Sequence, residues 1–87
     1  MRVIEFIKYL SKLGYVVNEC PKSKDYIVFS GRLYLGAFQQ DKDNVVFWCD
    51  KYVLPARDFM LNGLDTFEMR ICYPYRHIFI IKGFKHV

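Results

Sequence analysis

The chain has 87 residues, 53% of them hydrophobic, and its 13 Lys+Arg against 9 Asp+Glu give a net charge of +4. That length suits one domain and leaves no room for two, and so apolar a chain with so little net charge is not intrinsically disordered. No apolar run approaches the roughly 18 residues of a membrane span, and Glu5 and Lys8 interrupt what would be the apolar region of a secretory signal.

Residues 2–13 carry the clearest pattern. Val3, Phe6, Ile7, Leu10 and Leu13 recur at three- and four-residue spacing, with Arg2, Glu5, Lys8 and Lys12 off that stripe, which predicts an amphipathic helix. Gly14 follows as its stop. From there the period changes to two. Tyr15 to Glu19 reads as a strand ending at the turn-rich Pro21-Lys22-Ser23-Lys24-Asp25, and Tyr26 to Phe29 and Arg32 to Gln39 read as a hairpin closed by Ser30-Gly31. The polar loop Asp41-Lys42-Asp43-Asn44 leads into a strand from Val45 to Cys49. Pro55 suits the first turn of a short second helix through Asn62, with Gly63 beyond it. Thr66 to Tyr73 alternates as a strand, Pro74-Tyr75 turns, and His77 to Lys82 forms the last strand.

The expected order is α-β-β-β-β-α-β-β over a single α+β domain spanning residues 1–87, with helices packed on one face of an antiparallel sheet of about five or six strands. With Ser30-Gly31 as the loop, Val28 pairs with Leu33 and Ile27 with Tyr34. One face then carries Val28, Leu33, Leu35, Ala37 and Trp48; the other carries Ile27, Phe29, Tyr34, Phe38 and Phe47, with Arg32 among them. Both faces are apolar, so either both are core or one is an aromatic surface that receives a partner.

Cys20, Cys49 and Cys72 are an odd, widely spaced set, which points to reduced thiols in a cytoplasmic protein rather than a secreted disulfide scaffold. Without a CxxC pair, no metal site or other cofactor is expected. Catalytic signatures are equally sparse. The five glycines stand apart, so no phosphate-binding loop forms, and Ser23 and Ser30 fall in turns rather than in a nucleophile elbow. His77 beside Arg76 and Tyr75 is the one acid–base candidate, and it makes a small ribonuclease a remote alternative.

A sequence pI near 9.0 and seven tyrosines suit nucleic-acid binding, with Lys22, Lys24, Arg32, Arg70, Arg76, Lys82 and Lys85 as phosphate ligands. Aromatic and Arg side chains are equally the composition of protein interfaces. The primary expectation is therefore a non-enzymatic protein-binding module, a monomer or homodimer with no membrane association. Its partner would be met by Arg32, Tyr34, Phe38, Arg70, Tyr75, Arg76 and His77. Size and the lack of catalytic apparatus suggest an accessory or inhibitor protein of a phage or mobile element that occludes a partner. The basic balance argues against mimicry of DNA, which requires negative charge.

Overall fold

A computed structural model of the chain describes residues 1–50, 63–70 and 76–85. Among them are one helix, α1 (Val3–Lys12), and six strands, β1 (Val16–Cys20), β2 (Asp25–Ser30), β3 (Leu33–Asp41), β4 (Asn44–Asp50), β5 (Leu64–Arg70) and β6 (Arg76–Phe84). The second helix expected at 55–62 and the strand end at 71–73 lie outside the described residues. The strands form one antiparallel sheet in the order β1-β2-β3-β4-β6-β5. The first four follow each other as hairpins. The last two do not continue the meander: β6 inserts between β4 and β5, which consequently run parallel to one another.

At ten residues, α1 is shorter than the roughly 12–15 needed for a helix to persist by itself, so packing and capping must hold it. Phe6 and Leu10 are fully buried on its inner face. The Phe6 ring meets Phe38 edge-on at 4.7 Å and Phe47 at 6.2 Å between centroids, near-perpendicular arrangements favoured by aromatic quadrupoles. The helix ends in a Schellman motif: Gly14 has φ 92°, the Tyr15 N–H donates to the Leu10 carbonyl at 3.0 Å, and the Gly14 N–H donates to the Ser11 carbonyl at 3.1 Å.

The N-terminus of α1 is tied to the β3–β4 turn by one side chain. The Gln40 carbonyl oxygen accepts the Val3 N–H at 2.9 Å. Its amide nitrogen lies 3.0 Å from the Met1 carbonyl, 2.8 Å from that of Lys42 and 2.9 Å from that of Asn44. The amide has only two N–H groups, so they are shared among three acceptors, and this set of partners admits one orientation of the amide. Glu5 accepts the Arg2 N–H at 3.3 Å, satisfying a further donor ahead of the first turn.

The β2–β3 hairpin moves the expected loop by one residue and its pairing by two. Its loop is Gly31-Arg32, flanked by the pair Ser30–Leu33, and only the first loop residue has a positive φ (Gly31, 59°), the type II′ pattern. Phe29 consequently pairs with Tyr34, Ile27 with Ala37 and Tyr26 with Phe38. A bulge places both Leu35 and Gly36 opposite Val28 and turns Leu35 into the core. The two-residue shift leaves Ile27, Phe29 and Tyr34 on one face, and it is the bulge that reverses the faces of β3 beyond Leu35. Phe38 and Phe47, expected to share a face with Tyr34, lie fully buried under α1, and Ala37 and Trp48 share the face of Tyr34 instead.

The core on the helix side is a cross-strand row, Phe38–Phe47–Phe79, flanked by Val45–Ile81, Val28, Leu35, Cys49 and Leu64. The last strand is apolar on both sides. Phe79 and Ile81 are buried under the helix, and Ile78 and Ile80 are part-buried on the opposite face. Gly36 admits the Phe47 ring: a Cβ there would collide with the Trp48 carbonyl oxygen, come within 2.9 Å of Phe47 Cζ and lie 3.1 Å from Cys49 Cβ.

Two substitutions test this arrangement. Gly36→Ala is expected to cost about 3 kcal/mol or more, because rigid backbone blocks the added methyl. Gln40→Ala, which leaves the Val3 N–H without its acceptor, is expected to cost about 2 kcal/mol and lower Tm by about 10 °C. Thermal and urea unfolding of each variant check both values.

Candidate partner-binding face

The face of the sheet away from α1 carries two apolar cross-strand rows. One runs Ile27–Ala37–Trp48–Ile78, flanked by Val46 and Ile80. The other runs Val16–Phe29–Tyr34 across β1, β2 and β3. In the second row Val16 and Tyr34 are each 50% exposed, and the half-buried Phe29 ring lies edge-on to Tyr34 at 6.1 Å. Both follow from the bulge: Leu35 turns inward, and Tyr34 keeps the outer side beside Phe29. Arg32, exposed in the loop, is two residues from Tyr34. At the edge of the sheet, β1 pairs with β2 alone among the described residues, so its outer N–H and C=O groups border the exposed row.

The residues expected to meet a partner do not share one surface. Arg32 and Tyr34 are adjacent and exposed. Phe38 is core, its ring 5.2 Å from Tyr26 and 4.7 Å from Phe6, because the bulge at Leu35 points it under the helix. His77 pairs with Cys49 and Arg70 on the helix side, stacked on Phe79 at 6.1 Å, and so faces away from Tyr34. The backbones of Arg70 and Arg76 lie in β5 and β6, and Tyr75 lies outside the described residues. Of the row partners, Val16 was not singled out from sequence, and Phe29 was placed on the face of Tyr34 but not among the residues expected to meet a partner. Phe29 shares an aromatic cross-strand pair with Tyr34, but only the observed register shows it.

The basic residues spread in the same way. Lys22 and Lys24 lie in the β1–β2 turn and Arg32 in the β2–β3 turn, at opposite ends of β2, about 20 Å apart at strand rise. Lys82 and Lys85 lie on β6 and just beyond it. These positions do not converge on one phosphate-binding footprint. Among the described residues, no three His, Cys, Asp or Glu side chains come together as a metal site would require, and no helix is long and apolar enough to cross a membrane.

Cys20 and Cys49 are both reduced, and Cys49 is buried. Cys20 opens the β1–β2 turn, whose shape is fixed by the Lys24 N–H donating to the Cys20 carbonyl at 2.9 Å and by a positive φ of 60° at Lys24. Hydrogen bonds from the Ser23 hydroxyl and backbone hold the Cys20 thiol below its ordinary pKa, against opposing effects of burial and Asp25. No protein-family model, no curated protein and no solved structure matches the chain.

The turn geometry gives a measurable consequence. The thiolate is favoured, so alkylation of Cys20 by iodoacetamide is expected to rise at a lower pH than for an ordinary thiol. Ser23→Ala is expected to move that rise to higher pH. An identical profile in the variant would mean that the Ser23 hydroxyl does not bond the sulfur in solution.

Proposed function

We propose that this chain is a non-enzymatic binding module that meets a protein partner through the Val16–Phe29–Tyr34 row and the adjacent Arg32. The observation behind this reading is the pair of half-exposed apolar side chains flanking Phe29 on the side that α1 does not cover. Tyr and Arg are the residue types on which binding energy concentrates: a rigid ring buries much area at little entropic cost, and a guanidinium adds directed hydrogen bonds. The neighbouring β1 edge offers a partner strand main-chain hydrogen bonds, the basis of recognition by strand addition. A partner engaged this way is blocked by occlusion and not by chemistry, the role expected of a small accessory or inhibitor protein.

The test compares the proteins retained from lysate by wild type with those retained by Tyr34→Ala and by Arg32→Ala, with unfolding measured alongside. Both positions are exposed, so each variant is expected to stay within about 1 kcal/mol of wild type in stability. Both are also expected to lose a protein that wild type retains. A variant that unfolds would place that side chain in the core, and retention of the same proteins by all three forms would end the proposal.

A further inference from the structure

The helix side of the molecule holds a second candidate site, formed where α1 meets the end of β6. A bulge at the β5–β6 pairing sets Asp65 opposite Gly83 and Thr66 opposite Ile81, leaving Lys82 as the extra residue. Without it, Ile81 and Phe84 would point to opposite faces; with it, Ile81 stays in the core and Phe84 turns back against the helix. The Phe84 ring lies 5.8 Å from that of Tyr9, tilted by 52°, and remains 47% exposed. These two rings line a groove of about 270 Å³, bordered by Lys8, Lys12 and Glu5 of α1.

The chemistry of the lining restricts what fits. Lys8 and Lys12 are one helical turn apart and so neighbours on the helix surface. An exposed ring with two ammonium groups on its helix flank suits a flat, electron-rich group that carries negative charge beside it. The groove is at or below the lower end of ordinary ligand pockets, so it holds one such group and not an extended apolar ligand. A nucleobase with its phosphates meets all of these conditions. The base must be unstacked to reach the ring, which a duplex does not permit. Glu5, at the N-terminal end of the groove, is repelled by phosphate but can accept a hydrogen bond from an exocyclic base amine.

We propose that this groove binds single-stranded nucleic acid, one base stacking on Phe84 while its flanking phosphates meet Lys8 and Lys12. The site is separate from the Val16–Phe29–Tyr34 row and does not depend on the function proposed for it. It also differs from the scattered basic positions read from the sequence, since Lys8 and Lys12 were there assigned only to the outer face of a helix.

The experiment is fluorescence anisotropy of the whole protein with a short fluorescein-labelled single-stranded RNA across a salt series. Wild type is expected to bind at low salt, and Phe84→Ala to weaken binding about tenfold. Phe84→Leu, which keeps the apolar contact with Tyr9 but removes the stacking face, is expected to weaken it similarly, which separates lost stacking from lost folding. The double variant Lys8→Ala/Lys12→Ala is expected to flatten the slope of log K against log salt by about 1.4, the release of two counterions from a single strand. Lys22→Ala/Lys24→Ala removes the same charge from the other flank of the sheet and is expected to change affinity less than twofold. Failure to bind at low salt overturns the proposal. So does wild-type affinity in Phe84→Leu, equal loss in the two lysine pairs, equal competition by duplex RNA, or displacement by a poly-glutamate peptide as readily as by unlabelled RNA.

Discussion

Phe6 is the contact on which the rest of the arrangement depends. Its ring enters between Phe38 and Phe47 on the two central strands, and a ten-residue helix, too short to persist by itself, depends on such packing to hold its position on the sheet. That one insertion decides which side of the sheet is covered. It also sets the constraints around it. Gly36 must lack a side chain so that the Phe47 ring can occupy its place, and Gln40 must join the start of the helix to the β3–β4 turn. The Schellman stop then directs the chain into β1 at the edge of the sheet.

Two bulges convert this frame into surfaces. The bulge at Leu35 adds a side chain to the core and leaves Tyr34 beside Phe29 on the far side. The one at Lys82 brings Phe84 to Tyr9 on the helix side. In each case one extra residue breaks the alternation that would otherwise have hidden the ring or pointed it elsewhere. The molecule thereby presents two half-exposed aromatic side chains in different settings. Tyr34 lies in an apolar row that ends at a strand edge, suited to another protein, and Phe84 lies beside Lys8 and Lys12 of the helix, suited to a charged planar ligand.

The sequence reading succeeded where patterns are local. The apolar stripe of residues 2–13 and the glycine after it locate α1 to within a residue at each end, and the turn residues around 21–24 and 41–44 separate β1 from β2 and β3 from β4. It failed where one residue decides a face. Ser30-Gly31 and Gly31-Arg32 both contain the glycine that a tight hairpin needs, and either choice keeps Phe38 on the face of Tyr34; the extra residue Leu35, which no turn signal marks, is what sends Phe38 into the core. The insertion of β6 between β4 and β5 rests on pairing between residues far apart in the chain, from Asp50–Arg76 to Val45–Ile81, and no turn signal reports it. Gln40 was invisible for a similar reason: its worth lies in the atoms of Met1 and Val3 that folding brings to it.

The central claim is that the two faces of the sheet are unequal, with the aromatic residues of β3 divided between a sealed core and an accessible row. Hydroxyl-radical footprinting of the folded protein, read residue by residue by mass spectrometry, tests this directly. Tyr34 is expected to oxidise readily, Phe29 to an intermediate extent, and Phe38 and Phe47 only on unfolding. Protection of Tyr34 equal to that of Phe38 would contradict the account, because the outer row would then be core.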